Sequence, residues 1–312
     1  MESPRDIFEP DKFRFVGPAR EKPRIVEEAQ QDIEYGTIQM PPEREKSPER
    51  IQQLYGIVHA LNEFAKNELR IDLIKRLPGT GQFHFFDENG YQELNRTNNR
   101  PKGSVAFCFL GGDISVQEQS SIEETLANAN HELIHVTSYQ SISLCQERGG
   151  YSIDIEQGHS GYANERNQAL AMIEEGLTEL TNIQVMMLYW KHEQALTQMD
   201  MENYRDIGYP EQVIIIDELI KRIAHKQGQP YQDILRGIQR GKFLGQMQSL
   251  RIFTEEIGKD GMKILAKWTF GHDQSVAVAK ALGLTEAQKK LHALQAGEKV
   301  SFDFPFSRRD QS

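Results

Sequence analysis

From Pro48 onward the apolar residues fall into two kinds of spacing. Ile51, Leu54, Val58, Leu61, Ala65 and Leu69 recur at helical intervals, and Ser47-Pro48 ahead of them supplies an N-cap and a first-turn proline. The aromatic run Phe83 to Phe86 predicts a strand. Ser104 to Leu110 (SVAFCFL) and Asp113 to Val116 (DISV), separated by Gly111-Gly112, predict a hairpin. A second helical stripe, Ile122, Leu126, Ala129, Leu133 and Val136, starts just after Ser121, with Glu124 completing the capping-box pattern. This portion, ending near Ser141, predicts as α+β.

Residues 145–165 carry Gly149-Gly150 and Gly158 and predict irregular structure or a short hairpin. From Gln168 the spacing becomes helical. Met172, Gly176, Leu180, Ile183 and Met187 form one stripe, Val213, Ile214, Leu219, Ile220 and Ile223 another, and Ile234, Ile238, Phe243 and Leu244 a third. Further helices are expected to about Ala296, punctuated by Gly208, Gln229-Pro230, Gly258 and Gly283. Seven of the twelve prolines lie in the first 48 residues, mixed with charge, which predicts an extended or mobile arm that wraps the body or covers a cleft. The expected organisation is an arm over 1–48, an α+β upper subdomain over 49–141 and a mostly helical lower subdomain over 142–312, with a frayed tail from Arg308 to Ser312.

The chemistry sits on the second of these stripes. His131-Glu132-Leu133-Ile134-His135 places two imidazoles one turn apart with a carboxylate beside the first. At about 100° per residue the two rings lie only about 40° apart, so both can point at one metal ion. The pentapeptide fixes three letters, and chance alone produces it in roughly a few per cent of chains of this length. Its helix context sharpens it, because the apolar stripe lies about 180° from the histidines and leaves them off the packing face. Zinc held by two such imidazoles wants a third protein ligand and keeps its fourth position for water, with Glu132 flanking it. Downstream, Glu175 and Glu179 are one turn apart on one face of the Met172 helix, so one can reach a metal while the other accepts a hydrogen bond from a ligand histidine. Gly176 removes a side chain beside that face, which would let this helix lie close to the HExxH helix. Taken without that motif, the same glutamates read as an ordinary exposed acidic patch.

Together the two segments resemble the gluzincins, the thermolysin-like clan of zinc metallopeptidases, in which HExxH is followed some tens of residues later by a helix with a Glu ligand in an E-G context. The resemblance covers the middle of the chain. It implies an α+β, zincin-like fold, with a small mixed sheet and the HExxH helix packed on a mostly helical C-terminal subdomain. It also implies one Zn2+ per chain held by His131, His135 and Glu175, with Glu132 as general base on a zinc-activated water and Glu179 orienting a ligand histidine. Glu174 stands where that clan commonly has Asn, so Glu174 and Glu175 compete for the ligand role, and the E-G pairing of Glu175 with Gly176 favours Glu175. Glu179 replaces the usual Asp with a longer side chain. No G-x-M-E-N segment of the zinc aminopeptidases is present, and no H-x-x-G-x-x-H extension follows His135, which rules against a metzincin.

Two further assignments complete the expected site. A tetrahedral oxyanion needs a donor besides the metal. His159, Tyr209, His272 and Arg251 are chemically able, and Tyr209, just before Pro210 and a new helix, is the first candidate. The resemblance also makes Ala106, Phe107, Cys108 and Phe109 a substrate-binding edge for an extended peptide by strand addition, with a plain core strand as the alternative.

Composition narrows the partners. The chain has 312 residues, 38% hydrophobic and 26% charged, which suits one large domain or two modest ones. Its 36 basic against 46 acidic residues give a net charge of −10, which repels phosphate backbones and argues against nucleic acid. Cys108 and Cys145 make no disulfide framework and read as reduced thiols. The start MESPRDIFEPDKFRF lacks the basic and apolar regions of a signal peptide, and no stretch approaches the roughly 20 apolar residues of a membrane span. A cytoplasmic protein acting on peptide or protein substrates, with no membrane partner, is expected. Two function classes follow: a zinc-dependent metallopeptidase, or a catalytically inactive zincin-like scaffold that binds a protein or peptide partner, its arm plugging the cleft.

Overall fold

The computed structural model describes residues 13–16, 20, 23–24, 41–97, 104–108, 112–147, 150–158, 160–163, 167–192, 208–298, 300 and 302. Phe109, His159 and the 308–312 tail lie outside the described residues. Two compact units divide the chain: 1–59 with 74–157 and 161–167, and 60–73 with 158–160 and 168–312.

In the first unit Phe83–Phe86 (β2) pairs in parallel with Ile114–Gln117 (β4), in the register Phe83 to Ile114. Ala106–Cys108 (β3) runs antiparallel to β4, Phe107 opposite Ser115, as the expected hairpin requires. The order β2-β4-β3 leaves β3 on an edge of this small mixed sheet. At the other edge the Arg44 N–H donates to the Phe85 carbonyl at 2.8 Å, and the Arg44 guanidinium meets Glu118 at 2.7 Å. Residues just before the first helix (α1, Pro48–Phe64) are thus tied to the sheet.

A helix that the apolar spacing did not announce, Glu88–Thr97 (α2), follows β2 directly. The Asp87 carboxylate caps it by accepting from the Gly90 N–H at 2.8 Å. Its fully buried Tyr91 and Leu94 pack with Phe86 and Phe107, the Tyr91 ring 5.8 Å from that of Phe107. The HExxH helix, Ile122–Thr137 (α3), packs on β3 and β4.

The largest departure from the sequence reading is a second sheet. Gln140–Glu147 (β5) and Gly150–Gln157 (β6) form an antiparallel pair eight residues long where irregular structure or a short hairpin was expected. Ser160–Ala163 (β7) and Asn167–Ala169 (β8) extend it, in the order β1-β5-β6-β7-β8. Phe13–Val16 (β1), from the proline-rich arm, adds in parallel beside β5. Ile142 and Leu144 alternate with Ser141 and Ser143, and Tyr151, Ile153 and Ile155 with Ser152, Asp154 and Glu156, so the period-2 signal was present.

The second unit is helical: Ala171–His192 (α4), Pro210–Gln227 (α5), Tyr231–Leu244 (α6), Arg251–Ala266 (α7), His272–Ala281 (α8) and Thr285–Gln295 (α9). The expected breaks fall between helices except at Gly258, which sits inside α7 at a kink. The stripes of α4 and α5 share one apolar core with Trp268, Phe243 lying fully buried in the same unit. At Gly176 α5 lies close against α4: a Cβ there would stand 3.0 Å from Ile216 and 3.1 Å from the Gln212 carbonyl. The close approach predicted from this glycine is therefore made to α5. Among the described residues no helix is long and apolar enough to cross a membrane.

Candidate metal centre

The N-terminus of α3 forms where the capping pattern put it. Ser121 is extended, and its hydroxyl accepts from the Glu124 N–H at 3.0 Å. At the other end Thr137 and Ser138 turn their hydroxyls back onto the Leu133 and Ile134 carbonyls, at 2.8 and 2.6 Å, and the Thr137 carbonyl accepts from the Arg76 guanidinium at 3.5 Å. This matters because the helix is enclosed on both sides. Leu126, Ala129 and Leu133 are fully buried as the stripe required, and His131, Glu132 and His135 on the opposite side are only 5%, 7% and 5% exposed. The expectation of a histidine face outside the packing is corrected. Interior polar groups are tolerated only with partners of matching chemistry, and here the two imidazoles face each other.

The Nε2 atoms of His131 and His135 stand 3.2 Å apart, with ring centroids 4.9 Å apart and planes at 65°. For a tetrahedral ion with metal–nitrogen bonds of about 2.0–2.1 Å, two ligand nitrogens stand about 3.3 Å apart. The pair is therefore at the separation of two ligands sharing one ion. Glu175, half-buried on α4, completes the group, the three ligand atoms all lying within 4.8 Å of one another. Two imidazoles and a carboxylate are a donor set that can hold a metal ion.

The neighbouring acids are sorted by their partners. Glu174, fully buried, takes the Lys242 ammonium of α6, which also donates to the Thr178 hydroxyl at 2.7 Å. Gly158 lies against the same carboxylate, so closely that a Cβ would overlap it, and its φ of +58° favours glycine. Of the two adjacent candidates it is Glu175 that joins the histidines. Glu179, 2% exposed, accepts from the Asn182 amide and from the Gly208 N–H, both at 3.2 Å. The acid expected to orient a histidine therefore also anchors the backbone just before α5.

Tyr209 follows that anchor as the residue preceding α5, half-buried, its ring 6.0 Å from that of Phe270. His272 turns Nδ1 to Glu211 at 2.9 Å, and Arg251, 80% exposed, pairs with Glu255 at 3.3 Å. Of the expected substrate edge, Ala106 and Cys108 are half-buried and Phe107 is buried on α2, so the strand serves the core with alternate residues while it forms an edge.

Lys242, Asn182 and Gly208 went unrecognised in the sequence. For Lys242 there was a signal: it falls four residues after Ile238 and seven after Leu235, on the apolar stripe of α6, where a lysine needs a buried partner. No protein-family model matches this chain, and neither does any curated protein or solved structure.

Proposed function

We propose that the protein is a zinc-dependent metallopeptidase of the gluzincin type, with a zincin-like arrangement of the small sheet and α3. The observation that carries this reading is the grouping of His131, His135 and Glu175 within 4.8 Å, with the buried Glu132 beside the first of them in sequence. Histidine nitrogen and carboxylate oxygen in a three-residue set suit zinc, which would polarise a substrate carbonyl and make water a nucleophile near neutral pH.

The chain's own residues divide the remaining work. His131 and His135 bind through Nε2 and must be neutral to do so. Glu132, one residue from the first ligand and 7% exposed, is enclosed enough for its carboxylate to accept a proton from water and return it to the leaving amine. The edge of β3 offers main-chain donors and acceptors to an extended peptide, which suits peptide or protein substrates over compact ones. Tyr209 remains the candidate oxyanion donor, its backbone neighbour Gly208 being fixed by Glu179. A cytoplasmic site of action fits the thiols and the acidic surface.

The test compares wild type with Glu132→Gln in a peptide-library digest, with zinc measured in both. Full zinc content in both proteins and a loss of cleavage on the order of 10²–10⁴-fold in the variant are expected. Equal cleavage by the variant would remove Glu132 as the base. Bound zinc with no cleavage by wild type would turn the reading to a partner-binding scaffold.

A further inference from the structure

α4 presents three glutamates within six residues, and each has a different partner. Glu175 and Glu179 are separated by about 40° around the helix, Glu174 by about 100° from Glu175. Glu179 is held by Asn182 and the Gly208 N–H. Glu174 is held by Lys242, itself fully buried, and by the close backbone of Gly158, while Thr178 takes another of the ammonium's protons.

We infer that Lys242 is a positioning residue for the metal centre: it captures Glu174 so that Glu175 alone of the adjacent pair reaches His131 and His135. The inference rests on the metal-site reading above. Glu174 lies in the first turn of α4, one residue before Glu175, so a rotation of that turn by about 100° would exchange one carboxylate for the other. A full positive charge from α6, buried against the wrong acid, removes that competitor from the ligand set. An uncharged residue at 242 would leave a buried carboxylate without its cation, to be settled by protonation or by a turn of α4 that brings it to the metal, and the second of these disturbs the ligand set. The electrostatic role predicts that Lys242 becomes dispensable once Glu174 is neutral. A tether role predicts that it does not.

Cobalt(II) loaded into the apoprotein reports on the ligands through its visible absorption, and chelator competition gives its affinity. In Lys242→Gln, cobalt affinity should fall roughly tenfold or more with an altered band, the range typical of residues behind the ligands. Lys242→Arg should keep both near wild type. Glu174→Gln combined with Lys242→Gln should restore the wild-type band and affinity within about threefold, since no competing carboxylate is left. That double variant keeps the inference open to refutation even if Lys242→Gln alone fails to fold. An unchanged spectrum and affinity in a folded Lys242→Gln would overturn the inference, as would a double variant still weakened tenfold. A wild-type protein that takes up no cobalt would remove the metal centre itself, and with it this role for Lys242.

Discussion

The two helices that carry the candidate ligands solve the problem of buried polarity differently. On α3 most of the solution is local: Ser121 caps the start, the Thr137 and Ser138 hydroxyls turn back onto the helix, and His131 and His135 face each other from one turn to the next, with Arg76 reaching the Thr137 carbonyl from outside. On α4 the local Asn182 amide reaches Glu179, and the other partners come from distant segments. Glu174 depends on Lys242, sixty-eight residues away, and Glu179 on Gly208, twenty-nine away. A motif whose partners lie within one or two turns travels intact in the sequence, whereas one whose partners come from other helices is fixed only by the fold.

The comparison breaks most directly at the ligands. His131→Ala should abolish tight metal binding, a loss of about 100-fold or more, because two remaining donors cannot close the site. The apoprotein should lose no more than about 2 kcal/mol, since the α3 caps and its Leu126, Ala129 and Leu133 stripe are untouched. Equilibrium dialysis against zinc, paired with urea unfolding of the metal-free protein, separates the two. A variant that still binds zinc tightly would show that α3 does not carry the ligands.

Gly158→Ala probes the opposite case, the tertiary support of α4. The substitution adds a Cβ into the Glu174 carboxylate at a backbone φ of +58°. The left-handed conformation alone costs about 1–2 kcal/mol for a side-chain-bearing residue, and the overlap adds to it. A loss of at least about 2 kcal/mol in urea unfolding is expected. A change below about 0.5 kcal/mol would mean that the Glu174 and Lys242 pair gives way freely, and the contrast with α3 would vanish.

The same contrast explains what was legible in the sequence. The α3 helix, its cap, the β2 strand, the β3 and β4 hairpin and the helical stripes of the second unit all express short-range periodicity, and the mixed α+β character follows from them. The choice of Glu175 over Glu174 was readable from Gly176, although that glycine turned out to serve the packing of α5 against α4. Of the two alternatives for residues 145–165, irregular structure and a short hairpin, the hairpin forms, but its length and the strands added to it were not anticipated although its residues alternate, because Gly149-Gly150 and Gly158 drew the segment toward loop. β1 lay hidden in a proline-rich, charged arm: its parallel partner is more than a hundred residues on, and short-range patterns carry no record of such pairing. Lys242 marked itself only as a cation on an apolar stripe.

A third histidine sharpens the comparison with the smallest effect. His84 on β2 turns Nδ1 to Glu43 at 2.8 Å and Nε2 to Asp113 at 3.2 Å, with Lys46 3.7 Å from the same Glu43. A neutral imidazole has one N–H, so both carboxylates are satisfied only by the imidazolium, the reverse of what ligation asks of His131 and His135. Burial opposes the charge and is the largest single influence, yet the hydrogen bonds and charges of Asp113 and Glu43 together outweigh it, so the pKa is raised above 6.5. A folded pKa above the unfolded one gives stabilisation that is complete below about pH 6.5 and is lost as pH rises through the folded value. His84→Gln should therefore melt below wild type at about pH 6, and the gap should narrow steadily toward about pH 9. A gap that stays constant or widens over that range would show that His84 is held neutral, and that the segment before α1 is fastened to the sheet by Arg44 and Glu118 without help from a charged imidazole.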